Sequence, residues 1–340
     1  MTTIRAGEGA YTDAWCRLFE ELSVKPPPGS LTIAHASFAP FLELFYSKDS
    51  RPAPLLSVYP PDALPGYSLD GSDKRCLLGY SGGKDSLAMA MKLKEKGFTV
   101  TAFHVAGLNR SFTDEHLAAA RTARAIGIDL VVRRVVISGS SDRPENPTKN
   151  LLTLAMMFDY GAPLGIAHYA LGLDKEDEGG DEYNTDFNFS DSKEVLDAGI
   201  RPFRLSAGYE LHTELLRNGS TDSLVTVLES PNGLALLGLS ISCMSPFRFR
   251  ATWKKTNEKK YDVQLLDSRC GSCYKCAIEY IHLASLGYCV KNEEFTKHCW
   301  EILRVSAARV TDAPGRKALT KTYLIENFFG DEMWERLRDF

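Results

Sequence analysis

Nowhere in this chain does an apolar run approach the ~20 residues that a membrane helix requires. The opening segment, Met1-Thr2-Thr3-Ile4-Arg5-Ala6-Gly7, lacks the apolar core of a signal peptide, so no membrane contact and a cytoplasmic location are expected. A basic excess is missing too. The chain has 40 Lys and Arg against 44 Asp and Glu, a formal net charge of −4. No global positive field would draw in nucleic acid, which argues against a general nucleic-acid binder and leaves room only for a local basic patch. Eight cysteines in a cytoplasmic chain of 340 residues read as metal ligands or buried apolar side chains rather than as disulfides. The balance that remains, 44% hydrophobic and 25% charged, is that of a soluble globular protein with one large domain or two modest ones.

Two common phosphate motifs are absent where a third pattern stands. In Cys76-Leu77-Leu78-Gly79-Tyr80-Ser81-Gly82-Gly83-Lys84-Asp85-Ser86 a short apolar run ends in a small-residue loop and an amphipathic helix begins at once. A Walker A loop places four residues between its glycine and the Gly-Lys pair, but only three separate Gly79 from Gly83, and Lys84 is followed by Asp. No G-x-G-x-x-G is present either. Strand, turn and helix still suit an anion. Gly82 and Gly83 lack a Cβ and let a phosphate approach the backbone. The first N–H groups of the helix, at its positive end, then face it. An ordinary tight strand–helix turn is the alternative reading of the same residues.

Composition divides the chain into residues 1–73, 74–240 and 241–340. The first part carries a strand-like Leu31–Ala36, an aromatic-rich stretch from Phe38 to Tyr46 and two proline-dense segments. It reads as an appendage of short strands and loops, joined by a linker over Leu69–Lys74. From Cys76 the pattern alternates. Helices are expected at Asp85–Lys96, Thr113–Ile126 and Pro147–Tyr160, and strands at Phe98–Val105, Asp129–Ile137 and Leu164–Leu171. Such repetition predicts an α/β fold with a doubly wound, mostly parallel sheet, whose ligands sit beyond the carboxyl ends of the strands. Gly172–Asp191 is a long acidic loop, either a solvated surface segment or a lid. Helices are expected near Ser192–Ala198 and Ala207–Arg217, and again in Ala277–Leu286 and Asn292–Ala308.

The metal signal is Cys270-Gly271-Ser272-Cys273-Tyr274-Lys275-Cys276, whose spacing lets three thiolates converge on one tetrahedral ion. Cys243 is the nearest candidate upstream. An iron–sulfur cluster is the other ion these ligands accept, but nothing else in the chain suggests redox work. Cys16, Cys76, Cys289 and Cys299 read as buried thiols.

Ser-Gly-Gly-Lys-Asp-Ser after a strand resembles the PP-loop of the ATP pyrophosphatases. With the late cysteine triplet, the stretch from about Arg75 to Ile281 resembles the 7-cyano-7-deazaguanine synthases (QueC) of the queuosine pathway. Pro147-Thr148-Lys149-Asn150 stands where that family has Pro-Gly-Arg-Asn. Gly172-Leu173-Asp174 stands at its deazaguanine-recognising loop, and Ser242-Cys243 at its first zinc-ligand site. The resemblance implies a PP-loop α/β domain with a zinc-bearing helical C-terminal region. It makes Cys243, Cys270, Cys273 and Cys276 the ligands of a structural Zn²⁺. It implies adenylation of 7-carboxy-7-deazaguanine by ATP with release of pyrophosphate, then attack by an amine. Ser81, Gly82, Gly83, Asp85 and Ser86 would cradle pyrophosphate and Mg²⁺, with Lys84 neutralising charge. Lys149 either acts similarly or caps a surface helix, and Asn150 and Asp174 would contact the substrate.

Residues 1–73 and the basic, aromatic insert at 244–269 depart from that family, as do Lys84 and Lys149. These departures resemble the QueC-like proteins of bacterial anti-phage operons (type IV CBASS and Qat), which join the deazaguanine to the N-terminal amine of a partner protein. The expectation is therefore an ATP-dependent, AMP-forming C–N ligase with a protein acceptor from its own operon, in a form compatible with a homodimer. The alternatives are a stand-alone nitrile synthase using ammonia, a PP-loop enzyme acting on tRNA, and a non-catalytic nucleotide-binding module.

Overall fold

The structure, a computed structural model, describes residues 3–5, 9–22, 30–33, 36–48, 55–58, 64–107, 112–138, 149–172, 198–203, 212–215 and 220–241, with Glu279 and Leu283. At the N-terminal end β1 (Thr3–Arg5) precedes α1 (Ala10–Leu22). Then β2 (Ser30–Ile33), a 3-10 turn at Ala36–Phe38 and α2 (Ala39–Lys48) lead to β3 (Leu55–Val58), which pairs in parallel with β2. Short strands are present as expected, but both helices depart from the expectation of strands and loops. The reason for α1 is tertiary. Its N-cap position, Gly9, has no side chain to offer. Instead Asp159, far along the chain, accepts from Tyr11 N–H (3.2 Å) and Thr12 N–H (2.6 Å). Those are two of the amides a helix start leaves unbonded. A Cβ on Gly9 would overlap the Asp159 carboxyl.

The alternating region is β4 (Arg75–Gly79), α3 (Lys84–Glu95), β5 (Thr99–Ala106), α4 (Phe112–Ile126), β6 (Asp129–Arg134), β7 (Val136–Ser138), α5 (Lys149–Gly161), β8 (His168–Leu171), β9 (His212–Leu215), α6 (Ser220–Leu228) and α7 (Gly233–Leu239). Five strands form one sheet in the order β6-β5-β4-β8-β9, and every pairing in it is parallel. This is the α/β fold with a parallel sheet that the alternation predicts.

Side chains leave a strand on alternate faces, and the core obeys that period. Leu77, Phe103, Tyr169 and Leu171 point to one face. They pack there with Leu151, Met157 and Phe158 of α5, Tyr11 and Trp15 of α1, and Phe38 and Phe41. Cys76, Leu78, Val100, Ala102 and Ala170 point to the other, against Leu87 and Leu93 of α3, Ala119 and Ala123 of α4, Leu224 of α6 and Leu237 of α7. Both faces are covered, as a parallel sheet requires. Leu283 joins the second cluster, and Glu279, four residues earlier, is also helical and buried.

Three expectations are corrected. Residues 212–215 of the expected helix Ala207–Arg217 are β9, because the open edge of β8 offers these backbone groups parallel partners from His168 to Leu171. The expected strand Asp129–Ile137 breaks at Val135. Its N–H pairs with Ala106 O (2.8 Å), and β7 then leaves the sheet to run antiparallel to β1. Of Leu164–Leu171 only His168–Leu171 is strand. Pro163 sits in a 3-10 turn closed by Gly165 in the left-handed region. Among the described residues no helix is long and apolar enough to cross a membrane.

Candidate active site

The loop after β4 lies where the order of the sheet reverses. From β4 the chain proceeds through α3 and α4 to β5 and β6 on one side, and it returns through α5 to β8 on the other. A crevice opens beyond the carboxyl ends of the strands at such a reversal. Tyr80 fixes the exit from β4. Its N–H donates to Phe103 O (2.9 Å), its carbonyl accepts from His104 Nδ1 (2.9 Å), and its hydroxyl donates to Thr122 Oγ1 (2.9 Å). Thr122 in turn donates to Ala118 O. Burial pushes the Tyr80 phenol far above its ordinary range, which keeps it a neutral donor, while the Thr122 contact pulls slightly the other way.

Hydroxyls then tie the loop to itself. Ser81 Oγ accepts from Gly83 N–H (3.2 Å) and lies 3.4 Å from Ser86 Oγ, which donates to Gly83 O (3.0 Å). Helix α3 makes its first intrahelical bond from Leu87 N–H to Gly83 O (3.0 Å). The amides of Lys84, Asp85 and Ser86 precede that bond, and the N-cap residue, Gly83, has no side chain with which to cap them. Their N–H groups and the dipole make the positive end of the helix the natural seat of an anion. Beside it Lys84 Nζ contacts Asp85 Oδ1 at 2.6 Å, with side chains 7% and 26% exposed.

Three neighbours hold the loop by close backbone approach, and sequence reasoning did not single out their role. Gly82, at φ +77°, lies so near the backbone of Ala118 and Ala119 in α4 that a Cβ would overlap it. Gly82 O accepts from Ile241 N–H (2.9 Å), and a Cβ on Gly83 would stand 2.9 Å from Ile241 O. Gly172, directly after β8, has no room for a Cβ, which would meet Asp85 and Ser86 backbone at 2.7 Å. A glycine ending an apolar strand was the available signal for Gly172. Nothing near Ile241 signalled its place. Both segments singled out in the sequence therefore depart from residues in contact with the loop, the acidic one after Gly172 and the cysteine-bearing one after Ile241.

Lys149 opens α5 and Asn150 follows it, half-buried. A Cβ on Gly79, the last residue of β4, would stand 3.4 Å from Thr153 Cγ2. Because α5 runs against the strands, Lys149 and Asn150 lie about one turn (~5 Å) beyond Thr153, above the carboxyl edge and across the sheet from α3. The side chain of Lys149, Asp174 and the cysteines Cys243, Cys270, Cys273 and Cys276 fall outside the described residues. Among those described, no three His, Cys, Asp or Glu are grouped to hold a metal ion. Cys16 and Cys76 are buried thiols, as read from the sequence. The chain matches no protein-family model and no curated protein.

Proposed function

We propose that this protein is a PP-loop ligase that cleaves ATP to AMP and pyrophosphate. Its substrate would be 7-carboxy-7-deazaguanine, activated as an acyl-adenylate and passed to the N-terminal amine of a partner protein in anti-phage defence. The observation that carries the reading is the placement of Ser81–Ser86. A glycine-rich loop opening directly into a helix N-terminus stands at the strand-order reversal of a parallel sheet, where such folds take nucleotides. The deazaguanine and the protein acceptor rest on the resemblance to QueC-like proteins alone.

A carboxylate resists nucleophiles until it gains a leaving group. In the proposed reaction a substrate carboxylate oxygen bonds to the α-phosphorus of ATP, the α–β P–O bond breaks and pyrophosphate departs. An amine then attacks the acyl carbon, AMP leaves, and the amine loses a proton. For this chain the tasks are positioning and charge stabilisation. The α3 amides would hold the leaving pyrophosphate. The Asp85 carboxylate offers the hard oxygen donor that Mg²⁺ takes, and the cation would add positive charge against the phosphates. The zinc proposed on Cys243, Cys270, Cys273 and Cys276 would be structural. Those four thiolates suit Zn²⁺ by chemistry.

The test supplies ATP and 7-carboxy-7-deazaguanine with either ammonium or proteins from neighbouring genes, and reads pyrophosphate release and intact masses. Pyrophosphate release with an N-terminal adduct on a neighbour is expected. Efficient nitrile formation with no adduct would replace this reading by the stand-alone synthase. No pyrophosphate with any acceptor would reduce the protein to a nucleotide-binding module.

A further inference from the structure

The peptide joining Gly82 to Gly83 is held by a residue from outside the loop. A trans peptide points its carbonyl and its N–H in opposite directions. Gly82 O accepts from Ile241 N–H (2.9 Å), and Gly83 N–H, on the other side of the same peptide, donates to Ser81 Oγ (3.2 Å). That N–H is therefore turned into the loop, immediately before the amides of Lys84, Asp85 and Ser86. Glycine on both sides makes this peptide easy to turn over. Gly82 already sits at φ +77°, and Gly83 has no Cβ to forbid a positive φ. Turned over, the peptide would present a carbonyl oxygen where the N–H stands, and an anion would meet the negative end of a dipole.

We infer that Ile241 is a positioning residue, whose backbone N–H holds the Gly82–Gly83 peptide in the orientation that receives phosphate. This rests on the phosphate-loop reading above and assigns a role within it. Ser81 does not choose between the two orientations, because a hydroxyl accepts from an N–H or donates to a carbonyl equally well. A backbone N–H donates and cannot accept. In the reversed orientation Ile241 N–H would lose its acceptor inside the protein, which favours the observed one. The donor is also firmly aimed. Ser240, just before it, is fully buried, and its N–H reaches Leu236 O and Leu237 O at 3.1 Å. Its hydroxyl donates to Leu237 O (2.8 Å). Leu236 and Leu237 belong to the core on the α3 face of the sheet, so the end of α7 is anchored there and the direction of Ile241 N–H with it.

The experiment is calorimetric titration of the full chain with pyrophosphate and with ATP, each at one fixed excess of Mg²⁺ so that the ligand is the same complex throughout. Thermal melts accompany every titration. Ile241→Pro removes the N–H. Ser240 already has the extended backbone (φ −77°, ψ 161°) that a residue before proline adopts. A second variant places the α-hydroxy analogue of isoleucine at 241, exchanging the N–H for an ester oxygen and keeping the side chain. Ile241→Ala keeps the N–H and loses most of the buried side chain. Both variants without the N–H should bind pyrophosphate and ATP about tenfold or more weakly, the weight of one hydrogen bond to a charged group. Ile241→Ala should melt at a lower temperature yet bind both ligands within about twofold of wild type, a split that a merely structural role would not produce. Unchanged affinity in the ester variant would overturn the inference, and so would an Ile241→Ala that weakens binding as much as the ester does. Should Ile241→Pro fail to fold, the ester variant carries the comparison with the same outcomes. Failure of wild type to bind either ligand would instead overturn the phosphate-loop reading.

Discussion

Gly82 and Tyr80 show how single residues hold the loop in shape. Gly82 sits at φ +77° against the backbone of Ala118 and Ala119, so an added methyl meets both a disfavoured backbone and a wall of main chain. Gly82→Ala should lower stability by about 1–3 kcal/mol and abolish pyrophosphate binding, measured by chemical denaturation and calorimetry. A variant that binds pyrophosphate as wild type does would show that the loop is not the anion site. Tyr80→Phe removes one donor and leaves Thr122 bonded to Ala118 O. Its cost should be about 1 kcal/mol, read from the denaturation midpoint. Pyrophosphate affinity should change little, because the backbone contacts of Tyr80 with Phe103 and His104 persist.

At the scale of elements, α1 is the helix whose existence depends on a distant partner. Asp159→Ala would strip the acceptor from Tyr11 and Thr12 N–H, with an expected loss of about 1–2 kcal/mol, as for other helix caps. Its pH dependence has a definite sign. Burial lifts the Asp159 carboxyl above the ordinary aspartate range, against the pull of the hydrogen bonds from Thr12 and Tyr11. Ionisation is therefore harder in the folded chain than in the unfolded one. The stability difference between wild type and Asp159→Asn should favour wild type most below about pH 4, the unfolded aspartate range. It should shrink as pH rises through the higher folded value. Denaturation midpoints measured between pH 3 and 7 check this, and an advantage that grows with pH would contradict it.

The same helix explains what the sequence could not announce. Most strands and helices between Cys76 and Gly161 were legible because they carry their own period and, in places, their own stop, such as Gly97 after α3 and Gly127 after α4, both in the left-handed region. The loop Ser81–Ser86 was legible because its glycines and its setting are contiguous. Helix α1 was not, since its cap is supplied across 148 residues rather than by a neighbour in sequence. Strand β9 was not, since pairing with β8 defines it. Ile241 was missed for the same reason: its role is a backbone N–H, which every residue but proline carries.

For the molecule as a whole, the N-terminal residues share a core with one face of the sheet. Phe158 of α5 meets Tyr11 at 4.7 Å between ring centroids, Phe203 at 5.3 Å and Tyr169 at 5.6 Å. Trp15 is buried edge-on to Phe38 and Phe41. Deleting residues 1–73 should uncover Phe158 and its aromatic neighbours. The shortened chain is then expected to aggregate or lose cooperative unfolding, as followed by size-exclusion chromatography and thermal melts. A monomeric, cooperatively melting product would show that the sheet stands without that layer.

The bond from Asp159 to the start of α1 also has a consequence in time. Ribosomes add about 5–20 residues per second, so the 148 residues separating Tyr11 from its acceptor take roughly 7–30 s to appear. For that interval the first helix has neither its cap nor the Phe158 ring of α5 that packs against Tyr11. The nascent chain therefore carries an exposed aromatic face early and for long, and the pace of translation between residues 12 and 159 bears on how much of it reaches the folded state.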